Sequence, residues 1–211
     1  MMLLAPAECQ SAQSYSDQAY SYFLSGNYEL AASTYDRAIQ LEPNSTALWN
    51  NKGRALAMLQ RIDQAIYCFD RSIAINPDDP ESLNLKAIAL SQGLKMDDQA
   101  ILLFDRALAI NSSYFDAWNG KGMALANLGD TAGALQCFEN AVQMRPKDPQ
   151  AWNNKGVVLL KMQRYEEALG CFNQALSIDS HNEAALQNKE STLQAMKEPA
   201  TLRLGSSAAS L

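Results

Sequence analysis

An all-α array of antiparallel helix pairs is what this sequence predicts, and three observations predict it. Columns of residues recur at one period, each period holds two apolar stripes with helical spacing, and turn residues punctuate the stripes at fixed places. Ala31, Ala65, Ala100, Ala134 and Ala168 are spaced 34, 35, 34 and 34 residues apart, and Tyr35, Phe69, Phe104, Phe138 and Phe172 keep the same spacing. So do Ala38, Ser72, Ala107, Ala141 and Ala175. Tyr22, Leu56, Leu90, Leu125 and Leu159 run 34, 34, 35 and 34, which puts one extra residue between Leu90 and Ala100. Self-similarity at such a period marks a repeat architecture.

The second copy shows the elements in order. Trp49, Gly53 and Leu56 recur at i, i+4 and i+7, and Ile62, Ala65, Ile66, Phe69 and Ile73 at i, i+3, i+4, i+7 and i+11. Both are apolar stripes on a period of ~3.6 residues. Only Gln60-Arg61 separates them, which leaves room for a tight antiparallel hairpin. Elsewhere the turn reads Gly26-Asn27 or Gly129-Asp130, residues that end a helix. Pro43, Pro77 and Pro146 stop the second helices of their copies, because proline cannot continue a helix. Asp79-Pro80 and Asp148-Pro149 put a capping carboxylate before a proline in the first turn of the next helix. Gly53, Ala87, Gly122 and Gly156 on first helices, and the Ala31 column on second helices, let paired helices approach closely while the aromatics fill the space beside them.

Trp, Gly, Leu or Tyr, Ala, Phe or Tyr, Ala and Pro at a period of 34 resemble the tetratricopeptide repeat. The resemblance implies a right-handed superhelical solenoid of five copies, at 12–45, 46–79, 80–114, 115–148 and 149–182, closed by a capping helix over 183–197 that carries Leu186, Leu193 and Met196. The third copy departs most, with Leu83 for Trp, Ala87 for Gly, Ser112 for Pro and the extra residue. The first has Tyr15 for Trp and Ala19 for Gly. Residues 1–11 are expected to be a disordered lead-in or the end of a signal segment, given Met1 to Leu4 followed by Ala5-Pro6-Ala7. Residues 198–211, small and polar after Pro199, are expected to be a disordered tail.

Composition narrows the function. The net charge is −6, with 17 basic against 23 acidic residues and no basic run, so the sequence lacks the clustered Lys and Arg that neutralise phosphates. Nucleic acid is not an expected partner, and no apolar stretch is long enough for membrane insertion. The sole histidine, His181, sits in a turn, and there is no CxxC or HExxH, so no metal or other cofactor is expected. Carboxylate pairs at Asp78-Asp79, Asp97-Asp98 and Glu166-Glu167 fall in turns or first turns of helices, where they complement the dipole. With no Gly-rich phosphate loop and no GxSxG elbow, no enzyme is expected. Cys68, Cys137 and Cys171 share one column, and equivalent positions in neighbouring copies lie on the order of 10 Å apart, too far for a disulfide. Free cysteines packed as small apolar groups suit a reducing compartment, so a cytoplasmic protein is expected, or an exported one if the start of the chain is a signal remnant. Lys52, Lys86, Lys121 and Lys155 form one charged ladder, and Asp36-Arg37, Asp70-Arg71 and Asp105-Arg106 another, read as ion pairs between stacked helices.

In the family, first helices line a concave face that binds a protein or an extended peptide. The residues that would project inward here form columns. Ser16, Asn50, Asn84, Asn119 and Asn153 make a polar row, flanked by Asn51 and Asn154. One turn on lie Tyr20, Arg54, Ile88, Met123 and Val157, then Phe23, Ala57, Ser91, Ala126 and Leu160, then Leu24, Met58, Gln92, Asn127 and Lys161. An asparagine row can pair with the backbone of an extended peptide, because each side chain both donates and accepts. Candidate binding residues are therefore Asn50, Asn51, Arg54, Asn84, Ile88, Asn119, Met123, Asn153, Asn154, Val157 and Lys161. The clamp that holds chaperone C-termini in some relatives is not expected, since the first copy offers Ser16 and Tyr20 and the third Glu81 and Leu85. A homo-oligomer built through repeat ends, or through the apolar Leu202 to Leu204, is the alternative, and a non-catalytic subunit of an enzyme complex is a further one.

Overall fold

The computed structural model describes residues 11–197. Of the expected lead-in only Ser11 is among them, and the signal-like Ala5-Pro6-Ala7 and the tail with Leu202 to Leu204 lie outside the described residues. The described residues hold eleven α-helices, one π-helical turn and no strand. In chain order they are α1 (Ala12–Leu24), α2 (Tyr28–Leu41), α3 (Thr46–Met58), α4 (Ile62–Ile75), α5 (Pro80–Ile88), the π turn (Ala89–Gly93), α6 (Asp97–Ile110), α7 (Phe115–Asn127), α8 (Thr131–Met144), α9 (Pro149–Lys161), α10 (Tyr165–Ile178) and α11 (Glu183–Lys197). The chain divides into two compact units, one up to Ser112 and one from Ser113. The first holds the pairs α1/α2, α3/α4 and α5/α6, the second the pairs α7/α8 and α9/α10 with α11.

The local chemistry explains where each helix starts and stops. Asp79 accepts from the backbone N–H groups of Glu81 and Ser82 at 3.2 Å each, and Asp148 from those of Gln150 and Ala151 at 2.8 and 3.0 Å, each with proline in the first turn. Every hairpin turn contains one residue in the left-handed region: Gly26, Gln60, Lys95, Gly129 and Gln163, with φ from 59° to 86°. That residue lets the chain bend back so that the next N–H reaches a carbonyl of the last turn. Asn27 bonds to Tyr22, Arg61 to Leu56, Asp130 to Leu125 and Arg164 to Leu159, always five residues back. In the third copy Met96 bonds to Leu90, six residues back. The extra residue found in the sequence is absorbed there: a π turn takes one residue more than an α turn, so the helix keeps its closing bond and its register on both sides.

Packing follows the repeat columns. Tyr35, Phe69, Phe104, Phe138 and Phe172 are all 2% exposed or less, and burying each such ring contributes about 1.5–3 kcal/mol. A Cβ on Gly122 would stand 2.8 Å from Phe138 and one on Gly156 2.5 Å from Phe172, both on Cε1, so glycine is what lets those rings lie against the first helix. Trp49 and Trp152 donate from the indole N–H to the carbonyls of Pro43 and Pro146, at 2.8 and 2.9 Å, fastening each first helix to the end of the helix before it. The lysine ladder pairs across the same joints: Lys52 with Asp36 at 2.5 Å, Lys86 with Asp70 at 2.6 Å and Lys155 with Glu139 at 3.4 Å. Cys68, Cys137 and Cys171 are buried free thiols. Burial pushes the Cys68 thiol up to about 11, against the pull of nearby Lys52.

Candidate functional site

The asparagine row is built into the joints between successive first helices. Asn50, Asn84 and Asn153 are only 2%, 3% and 5% exposed. In the N-terminal unit the Ser82 hydroxyl donates to Asn50 Oδ1 at 3.1 Å, and Asn50 Nδ2 reaches Asp79 Oδ2 at 3.4 Å. Ser72 lies 2.7 Å from the same hydroxyl. In the C-terminal unit Asn154 Nδ2 donates to Asn119 Oδ1 at 2.9 Å, and Asn188 Nδ2 to Asn153 Oδ1 at 2.9 Å. Gln150 Nε2 donates to Asn154 Oδ1 at 3.0 Å. The expectation of an open row therefore needs correcting for Asn50, Asn84 and Asn153. Their register, directly after the Trp column, turns them into the packed interior, where Asn50 and Asn153 bond to the next first helix. Asn84 Oδ1 is buried with no donor among the described residues. Ser16, Asn51, Asn119 and Asn154 are half-buried.

The columns one turn further on do reach the surface. Arg54 and Met123 are exposed, Ile88 and Val157 half-buried, and Lys161 exposed. Arg54 bonds to Glu81 at 2.7 Å, both side chains being about half exposed, so its charge is balanced yet open to water. In the N-terminal unit these columns close round a pocket of about 370 Å³. Phe23 of α1, Ala57 and Met58 of α3, and Leu85 and Ile88 of α5 form its apolar lining, with Arg54 and Gln92 as polar members. The π turn supplies one wall through Ala89 and Gly93, and Gly93 lies so near α4 that a Cβ there would stand 2.6 Å from Ile62 Cγ2. Tyr20, Leu24 and Met58, at 54%, 68% and 52% exposure, extend the apolar surface on α1 and α3. Behind it the Tyr35 phenol is pushed up to about 12 by burial, with Tyr20 adding to the shift and Arg54 opposing it.

The inward columns of the sequence contain half of this lining, while Gln60, Ile62, Phe69, Leu85, Ala89 and Gly93 lie outside them. The one signal for the wall at Gly93 was the extra residue between Leu90 and Ala100. Ser91, read as facing inward, is 4% exposed and instead donates to Asp97, which ties the π turn to the start of α6. Among the described residues no cluster of three His, Cys, Asp or Glu side chains is arranged to hold a metal, and no helix is long and apolar enough to cross a membrane.

A tetratricopeptide repeat model matches residues 115–148 and 149–182, and a second tetratricopeptide repeat model matches 16–80, together more than half of the chain. The chain belongs to the tetratricopeptide repeat family. Its helices are those of the family's paired units, and a general protein-binding role comes with that membership. Solved tetratricopeptide proteins share the fold. YrrB, described as a TPR protein with an unusual peptide-binding site, is 23% identical over 85% of this chain and 92% of its own, with a TM-score of 0.64. The thermophilic TPR protein TTC0263 of Thermus thermophilus is 19% identical over 87% and 100%, with a TM-score of 0.72. PilW, a type IV pilus biogenesis factor, is 20% identical over 87% and 89%, with a TM-score of 0.77. No curated protein sequence is similar enough to match the chain.

Proposed function

We propose that this tetratricopeptide protein is a non-catalytic interaction module that holds a peptide or protein segment on the inner face of its N-terminal unit, with one large apolar side chain anchored between α1, α3 and the π turn. The pocket of about 370 Å³ carries the reading. It is concave, mostly apolar and has few polar members, as ligand pockets are. Its Arg54–Glu81 pair can exchange partners with a charged group beside the anchor. The peptide-binding site in the description of YrrB supports the same class of partner. In the C-terminal unit Met123, Val157 and Lys161 offer a second, shallower contact row, with Asn119 and Asn154 occupied by each other.

A displayed library of random peptides, selected on the full chain, tests the reading. The selected peptides should share a single large apolar residue. Ile88→Glu should weaken them at least ~10-fold, about 1.4 kcal/mol. Deleting Gly93 should give the third copy the regular period, remove the π wall and weaken the same peptides while the chain stays folded. Selected peptides that bind the Ile88→Glu protein undiminished would place the binding face elsewhere.

A further inference from the structure

Helix α11 stands in the register of a first helix, and no second helix follows it among the described residues. Leu186 and Leu193 come 34 residues after Trp152 and Leu159 of α9, and Met196 34 residues after Met162, which caps that helix. On α9 that face is covered, and Leu159 is 2% exposed; on α11, Leu186 and Leu193 are 47% and 41% exposed. An apolar helix-pairing face has been kept at the end of the C-terminal unit.

Its occupant is not a sixth second helix of the usual kind. Glu190 stands where α9 has Gly156, and even a Cβ on Gly156 would come 2.5 Å from Phe172. A second helix with the Phe column would have to bury the Glu190 carboxylate against its ring to lie on α11 as α10 lies on α9, which is unfavourable without a partner for the charge. The face is instead complementary to itself. Read forward it runs Glu183, Leu186, Lys189-Glu190, Leu193, Met196-Lys197; read backward, leucine meets leucine, Lys189 meets Glu190, and Glu183 meets Met196 with Lys197 one residue further on. An antiparallel second copy sets Leu186 against Leu193, Lys189 against Glu190 and Glu183 beside Lys197, each of them twice. Antiparallel helices also place opposite dipole ends together. A parallel arrangement would set Glu190 against Glu190. Head-to-tail stacking onto α1 would set the leucines against its exposed polar flank of Gln13, Ser14, Asp17, Gln18 and Ser21.

We propose that α11 pairs antiparallel with α11 of a second copy of this chain, forming a two-fold dimer. One 15-residue helix against another is a small interface, so the dimer is reversible and depends on concentration.

Sedimentation equilibrium of the full chain, from ~1 to ~100 μM, tests this. The mass should rise from 23.2 kDa towards twice that value. Leu193→Arg should move the transition at least ~10-fold higher in concentration, and Glu190→Lys should do the same. The double variant Lys189→Glu/Glu190→Lys should restore dimerisation, which a mere loss of helix stability would not do; circular dichroism checks that each variant is folded. In a Cys9→Ser background, an equal mixture of Leu186→Cys and Leu193→Cys chains should form a mixed disulfide that neither chain forms alone. A monomer at every concentration, or a dimer indifferent to Leu193→Arg and to Glu190→Lys, would overturn the proposal.

Discussion

In the fifth copy the first helix α9 runs unbroken from Pro149 to Lys161 and closes on Gln163; in the third, α5 stops at Ile88, passes through a π turn and closes one residue later, on Lys95. The two copies share their Ala and Phe columns but differ at the small residue of the first helix. The fifth carries Gly156 beneath Phe172, whereas the third has Ala87 at that place. Each ends in the same left-handed turn, and each buries its Phe to 1% or less. What differs is the surface beside the helix. The regular copy is closed by an asparagine bridge, Asn188 to Asn153, while the irregular copy borders a pocket and contains an asparagine oxygen with no donor. One inserted residue has been confined to a single turn, so the core register survives while the neighbouring surface opens.

The largest effect expected from this contrast is at the small-residue column. Gly156→Ala should destabilise the C-terminal unit by about 1–3 kcal/mol, because the added Cβ overpacks against Phe172. Intrinsic helix propensity predicts the opposite sign, a gain of about 1 kcal/mol. Ala87→Gly in the third copy should simply lose about that amount. Urea unfolding of both variants separates packing from propensity. A stabilised Gly156→Ala protein would mean that α9 and α10 can move apart at little cost.

Next in size comes the asparagine contrast. Asn153→Ala removes the acceptor for Asn188 and should cost about 1–2 kcal/mol. Asn84→Ala deletes a buried oxygen that bonds to nothing, so it should cost less than ~1 kcal/mol. Both can be read from the same unfolding curves. Equal losses would show that the two positions rest on packing alone.

The helix pairs, their hairpins and the aromatic core were legible in the sequence because they are written five times over: a column such as Tyr35 to Phe172 has one physical explanation. The extra residue was legible too, but only as a count between Leu90 and Ala100. That it forms a π turn depends on Gly93 fitting against Ile62, a contact between helices that no period reports. The asparagines were harder. Asn50 and Asn51 are adjacent and chemically identical, yet one is buried and the other half-buried, since a helix turns about 100° per residue. Only the position of the neighbouring first helix decides which of them faces outward.

The smallest expected effect concerns the turns. Gln163 and Lys95 hold φ near 60°, a conformation that costs a side chain about 1–2 kcal/mol, whereas Gly26 and Gly129 adopt it freely. Replacing either residue with glycine relieves that cost but gives the unfolded chain more freedom, worth about 0.5–1 kcal/mol. Gln163→Gly should therefore stabilise by about 0.5–1 kcal/mol, seen as a small rise in the thermal midpoint. Lys95→Gly should gain as much, because its φ of 59° matches the 60° of Gln163 although its closing bond spans one residue more. A clearly larger gain at Lys95 would locate additional strain in the π turn itself, and the third copy would then hold its pocket open at the expense of its own stability.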